Sequence, residues 1–200
     1  MRCTEQLEAL RGLHARLCPR QVLGVRIGLQ AAELLEVEAP RSDKRLLTIV
    51  ETDGCFADGV SVATGCWAGR RTLRVEDYGK VAACCVDTLT GAAVRIWPHP
   101  LVRVRAREAQ PAARDNWHAQ LEAYQWLPSE QLLSWEPVQL RTSLAELLGR
   151  PGGRETCATC GEEILNGRGV GVGAAVVCRP CATGGAYYSA TRATTMPHFC

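Results

Sequence analysis

The sequence predicts an α+β fold, with helices packed on a mostly antiparallel sheet and a small cysteine-organised domain at the C-terminus. Three observations carry this. Apolar residues recur at helical spacing over 4–13, 20–36 and 111–127, and three β-rich runs follow one another between 71 and 98. A Pro/Gly-rich piece, "RPGGRE" at 150–155, then precedes two Cys-x2-Cys pairs. Domains are therefore expected at 1–150 and 151–200.

The bulk numbers narrow the function classes. A chain of 200 residues, 46% hydrophobic and 22% charged, can bury one core and carry an appendage. Residues 1–150 hold 19 basic and 18 acidic groups and residues 151–200 hold 4 and 3, so neither part has the basic excess of a phosphate-binding surface. Nucleic acid is not an expected partner. No apolar run reaches the ~18 residues of a membrane span. The N-terminus "MRCTEQLEALRGLH" is too polar for a secretion signal. A cytoplasmic protein off the membrane is expected, in which eleven cysteines are more naturally ligands, catalytic groups or small core residues than disulfides. Of the 23 basic residues, all but Lys44 and Lys80 are arginine.

The elements read in order as follows. Helices at 4–13 and 20–36 are joined by the bend from His14 to Pro19. The second is apolar except for a stripe at Arg26, Gln30 and Glu33, so most of its circumference should be covered. Gly24 and Gly28, four apart, cost about 1 kcal/mol each in a helix. Their return is close backbone approach to another element or a second subunit. "RLLTIVE" at 45–51 is a strand that turns through "TDGC" into a helix at "FADGVSVATG". "RTLRVEDYG", "KVAACCVDT" and "AAVRIWP" are sequential strands, the last two joined at "LTG". Pro111 stands at a plausible first helical position of a helix with Trp117, Leu121 and Tyr124 on one face. "PSEQLLSW" makes a short helix, "EPVQL" a closing strand and "SLAELLG" a last helical turn.

"CATC" at 157–160 and "CRPC" at 178–181 are separated by 17 residues, the spacing of a four-cysteine zinc ribbon or treble clef. Two thiolates three apart clasp one side of a tetrahedral ion, and Gly161 suits the tight turn after the first pair. "ILNGRGVGVGAAVV" reads as a hairpin with "NGRG" at its tip. So small a segment has too few large apolar side chains for a core of its own, and zinc on Cys157, Cys160, Cys178 and Cys181 would supply most of its folding free energy. The alternative is a pair of disulfides in an exported protein.

The N-terminal part holds a second group. Cys18 precedes Pro19 and should cap the second helix, and Cys55 falls in the first turn of the helix after "ETDG", where Thr52 or Asp53 can cap. Helix N-termini favour thiolate. Asp58 lies three residues beyond Cys55 on the same face. Cys66 is eleven helical residues, or ~16 Å of rise, from Cys55. Distance therefore groups His14, Cys18 and Cys55, with Cys66 as a lining residue. Cys84 and Cys85 read as structural, and Cys3, Cys200, His99, His118 and His198 show no constellation.

Together "LHARLCPRQVLGVRIGLQAAELL", "IVETDGCFADGVSVATGCWAGRRTLRVEDYGKVA", "TGAAVRI" and "LPSEQLLSWEPVQL", followed by "CATCGEEI" to "CRPC", resemble the FmdE family, which takes its name from formylmethanofuran dehydrogenase. The resemblance implies an α+β core, an intertwined homodimer and an auxiliary treble-clef zinc finger. The family's His-Gly-His-x-Cys-Pro-Gly motif falls on His14, Ala15, Arg16, Leu17, Cys18, Pro19 and Arg20. Arg16 thus replaces the second histidine and Arg20 the last glycine. Cys55 and Cys66 match further motif cysteines, and Asp58 and Lys80 also fall on motif positions. A guanidinium is always protonated and cannot ligate a metal, so one ligand is lost where Arg16 stands; near Cys18 it would favour thiolate.

The resemblance implies a metal-binding protein with a cysteine-lined core cleft formed by His14, Cys18, Cys55, Asp58, Cys66 and Lys80, holding a second metal or a small ligand. The implied role is to act beside a larger molybdenum or tungsten redox enzyme. The chain lacks the mass and motifs to be that dehydrogenase itself. One alternative is an independent thiol- or metal-dependent enzyme using Cys18 or Cys55 with His14 as orienting base. A regulator that contacts nucleic acid through the zinc module is the other, against which the charge argues.

Overall fold

A computed structural model describes residues 3–149 and 152–189. His198 and Cys200 lie outside the described residues. The chain divides into two compact units, 1–144 and 145–200, the division falling before the Pro/Gly run.

In the first unit, α1 (Cys3–Arg11) and α2 (Pro19–Leu34) precede β1 (Leu46–Val50), α3 (Cys55–Thr64) and β2 (Leu73–Val75). There follow β3 (Ala83–Asp87), β4 (Ala93–Pro98), α4 (Val102–Ala109), α5 (Asn116–Ala123), α6 (Ser129–Leu132) and β5 (Leu133–Pro137). The five strands form one sheet in the order β2-β1-β3-β4-β5. All neighbours pair antiparallel except β1 and β2. The exception has a direct cause: α3 carries the chain back along the sheet, so β2 enters in the same direction as β1. The sheet is mixed at this one edge.

On one face of the sheet Leu46, Val50, Ala83, Cys85, Val94 and Ile96 meet Val22, Val25 and Ile27 of α2 and Phe56, Val60 and Ala63 of α3 in the core. α2 is covered over most of its circumference, as its composition predicts, and of its polar stripe only Glu33 is exposed. Arg26 donates to the carbonyl oxygens of Tyr124 and Leu127 at 2.8 and 2.6 Å, and Gln30 is buried. The arginine thereby ties α2 to the end of α5, satisfying carbonyls that a helix terminus leaves open.

The two helix glycines approach α3 within the same chain. A Cβ on Gly24 would stand 2.3 Å from the Phe56 oxygen, one on Gly28 2.6 Å from the Ala63 Cβ, and one on Gly59 of the facing helix 2.3 Å from the Gln21 oxygen. α2 and α3 cross in contact at their backbones.

A helix not predicted above forms over "LVRVRAREAQ": this is α4, with Val102 and Ala106 inward. Two expectations shift. α5 starts after Asp115, whose carboxylate accepts the His118 N–H at 2.9 Å, rather than at Pro111. The closing strand runs through "LSWEP" instead of "EPVQL", because Leu133 and Trp135 pack on the core.

α7 (Leu144–Leu148) begins at the boundary, and the second unit then contains β6 (Arg154–Thr156), β7 (Glu163–Leu165), β8 (Val170–Val172), β9 (Ala175–Val177) and α8 (Arg179–Thr183). Here β6 pairs with β7 and β8 with β9. "NGRG" therefore links two short hairpins, and the tight turn lies at Gly173, φ +61°. Cys157, Ile164 and Val177 make up its small buried cluster. Among the described residues no helix is long and apolar enough to cross a membrane.

Candidate metal centre and thiol site

The four C-terminal cysteines converge. One ligand atom from each of Cys157, Cys160, Cys178 and Cys181 lies within 4.8 Å of all the others. Each pair sits at a turn: the Gly161 N–H closes on the Cys157 oxygen at 3.0 Å, and Cys178 is the N-cap of α8. The Cys157 sulfur accepts the Cys178 N–H at 3.2 Å and the Cys160 N–H at 3.5 Å. These N–H groups, that of Cys160 foremost, draw the Cys157 thiol down to about 6. Cys181 goes the other way, to about 12, through the Cys178 thiol beside it, burial and its other two neighbours. Four sulfurs this close cannot all ionise unaided, and a bound cation removes that conflict. The donor set, four thiols within 4.8 Å of one another, fits a thiophilic metal ion such as zinc.

The N-terminal group assembles in part. Cys18 caps α2 in extended conformation, φ −131° and ψ 158°, and its N–H donates to the Gln21 side-chain oxygen at 2.7 Å. Cys55 opens α3. The residue that makes this possible is Gly54, at φ +71° and ψ −152°, a region nearly closed to side chains. Gly54, not Thr52 or Asp53, is the cap. The Gly24–Gly59 crossing then fixes the two helix starts against each other, with one thiol on each. Burial, followed by the neighbouring Cys18 thiol, pushes the Cys55 thiol up, with Arg20 opposing. Desolvation and a neighbouring sulfur outweigh the helix start, contrary to the thiolate expected from position alone.

His14 turns its Nε2 to Asp58 Oδ2 at 2.8 Å. His14, Cys18, Cys55 and Asp58 are all half-buried. Arg20, rather than Arg16, is the guanidinium felt by Cys55. Arg16 lines a cavity with Trp117 and Leu121.

Two expected members stand elsewhere. Cys66 lies past the far end of α3, buried, its sulfur donating to the Leu46 oxygen at 3.2 Å. Gly65, left-handed at φ +75°, ends the helix there, and its Cβ position is filled by the Arg41 backbone at 2.3 Å. Lys80 donates its backbone N–H to Glu51 at 3.1 Å and lines a cavity with Arg95 and Trp97. The largest cavity described, about 600 Å³, runs from Glu5 and Leu13 to Trp67 and Arg70 and includes none of the expected residues. Cys85 is a core thiol against Thr48 Oγ1 at 3.6 Å. Burial raises Cys84 to about 11.

Fold and site together define an α+β domain with a four-cysteine metal-binding module. Over residues 13–139 the chain matches the family described as FmdE, Molybdenum formylmethanofuran dehydrogenase operon, and it belongs to that family. A protein of Archaeoglobus fulgidus named probable S-adenosyl-L-methionine-binding protein is 37% identical over 97 residues, 47% of this chain and 26% of that protein. The chain thus spans about a quarter of that relative's length. The crystal structure of a tungsten formylmethanofuran dehydrogenase FmdE-like protein from Syntrophus aciditrophicus matches with a TM-score of 0.59 at 21% identity. That match covers 93% of this chain and 95% of the other, and it shows the shared fold.

Proposed function

We propose that this FmdE-family protein is a metal-binding dimer with zinc on Cys157, Cys160, Cys178 and Cys181 and a second, soft metal on the Cys18–Cys55 thiol pair. It serves as an accessory to a larger molybdenum or tungsten redox enzyme. What supports the second centre is that the starts of α2 and α3, held together at the Gly24–Gly59 crossing, carry one thiol each near enough to act on the other, with the His14–Asp58 pair joining the same two segments. Soft thiolates select copper(I), zinc or iron–sulfur chemistry over hard cations. Among the described residues no third group completes a close set with these two thiols. The remaining coordination positions therefore fall to a ligand or to the partner enzyme, and His14 is held by Asp58 as an orienting neighbour. The family name supports the accessory role.

Metal content of the purified protein tests this reading. Two equivalents per chain are expected, one lost in Cys18→Ala or Cys55→Ala and the other in Cys157→Ser. A single equivalent that survives Cys18→Ala and Cys55→Ala would overturn the second centre. The Archaeoglobus relative favours a second reading, in which the thiol site binds S-adenosylmethionine. Saturable binding of that compound, abolished by Cys55→Ala in protein holding one metal equivalent, selects it.

A further inference from the structure

The cavity around Lys80 is built from groups that the reading above does not use. It measures about 410 Å³ and is lined by the segment Lys80–Ala82, by Arg95, Trp97, Pro98, His99 and Pro100 from β4 and the turn after it, and by Val102 and Arg103 of α4. That volume lies within the range of small-molecule sites. Its charge is one-sided, since Lys80, Arg95 and Arg103 line it and, among the described residues, no carboxylate does.

The three cations differ in what they can offer. Arg95 is already spent. Its guanidinium forks onto Glu51, Nε to Oε1 at 2.6 Å and Nη2 to Oε2 at 2.7 Å, and stacks over the Trp97 ring at 5.0 Å from the centroid. This fixes the indole as a rigid wall, because a stacked and bidentate arginine holds its plane. Lys80 and Arg103 form no ion pair with any described carboxylate, and both reach solvent. Both line the same cavity, Lys80 from the loop before β3 and Arg103 from α4.

The turn shapes the third side. His99 Nδ1 accepts the Leu101 N–H at 3.1 Å, which holds the turn on which Pro98 and Pro100 line the cavity with Trp97. The cavity thus pairs an aromatic and proline wall with two exposed cations that have no carboxylate partner among the described residues. Lys80 is also one of only two lysines in a chain that otherwise uses arginine.

From this arrangement we propose that the Lys80–Trp97–Arg103 cavity binds a small organic anion, its carboxylate or phosphate group on Lys80 and Arg103 and its flat apolar body against Trp97 and the two prolines. The anion supplies the charge that Lys80 and Arg103 lack, and the body covers the indole. Neither part alone fills the cavity. The site is independent of Cys18 and Cys55.

Calorimetric titration of the full chain tests it, with 2-naphthoate for the carboxylate source, adenosine monophosphate for the phosphate source, and 2-naphthamide, adenosine and inorganic phosphate as partial probes. One of the two complete anions is expected to bind in the micromolar to low millimolar range at low salt, at least tenfold tighter than its neutral counterpart and than inorganic phosphate. Lys80→Ala and Arg103→Ala should each weaken it about tenfold, the size of one charge-assisted hydrogen bond. Trp97→Phe should remove the accompanying fluorescence change, and Cys18→Ala should leave binding intact. The proposal is overturned if neither anion binds at low millimolar concentration, if the neutral counterpart binds equally well, or if a folded Lys80→Ala/Arg103→Ala double variant retains full affinity.

Discussion

His14 Nε2 lies 2.8 Å from Asp58 Oδ2, joining the bend between α1 and α2 to the first turn of α3. His14 precedes Cys18 by four residues and Asp58 follows Cys55 by three, so this pair joins the two segments that carry the thiols. Its side chains are 28% and 39% exposed, and solvent screens the attraction. The pair therefore orients the bend more than it stabilises the fold.

A double-mutant cycle measures that distinction. His14→Ala, Asp58→Ala and the double variant, followed by urea unfolding, should give a coupling energy below about 1 kcal/mol. The same variants should weaken any ion or ligand held by Cys18 and Cys55 by more than that coupling implies. A coupling of several kcal/mol would instead make the pair a structural clamp.

Gly24→Ala addresses the frame that brings the thiols together. The new Cβ would meet the Phe56 carbonyl oxygen at 2.3 Å and the Val60 nitrogen at 2.8 Å, both backbone atoms that cannot swing away. Separation of α2 from α3 is the relief available, and overpacking of this kind costs about 3 kcal/mol. Chemical denaturation should show that loss, and disulfide trapping of Cys18 with Cys55 should slow with it. An unchanged midpoint would mean that the helices do not approach so closely in solution.

How far these features are legible in sequence depends on their range. The Cys18 cap is local, because Pro19 can begin a helix and rarely continues one, and the structure keeps it. The four-cysteine group is legible because ligand spacing survives without knowledge of the surrounding fold. Long-range partners are not. Nothing in "GLHARLCPR" distinguishes Arg16, which lines a cavity with Trp117, from Arg20, whose charge acts on Cys55. The parallel edge of the sheet follows from α3 lying between β1 and β2, a consequence of connection and not of strand composition. Lys80 falls on a motif position, yet its neighbours Trp97 and Arg103 come from β4 and α4, and α4 is itself masked by its Val–Arg alternation.

Acid stability should report on Asp87. Its carboxylate is 1% exposed. It accepts from Arg45 Nε at 3.0 Å and Nη2 at 2.9 Å, and from the Leu89 N–H and Thr90 hydroxyl in its own turn. Arg45 first, with those two neighbours, holds Asp87 down at about 2. A carboxylate depressed in the folded state contributes stability above its unfolded pKa and loses it as pH falls through the folded value. Unfolding free energy should therefore drop by up to about 2 kcal/mol as pH falls from about 4 toward 2. Asp87→Asn should flatten that slope. If the variant keeps the wild-type acid profile, another carboxylate is responsible.

Metal removal should act on one unit and spare the other. The buried cluster of the C-terminal unit comprises Cys157, Ile164 and Val177, far too little apolar surface to offset the entropy of ordering this segment. Zinc bound to four thiolates supplies about 10–16 kcal/mol in modules of this size. A strong chelator, or Cys178→Ser, should therefore collapse the amide dispersion of residues 152–183 in an NMR spectrum of the full chain. The signals of α2, α3 and the five-stranded sheet should persist, since their core of leucine, valine, isoleucine and phenylalanine owes nothing to these cysteines. Restoring one equivalent of zinc should bring the lost signals back. Retention of those signals after complete metal removal would show that the segment folds without an ion, and would remove the reason for placing zinc there.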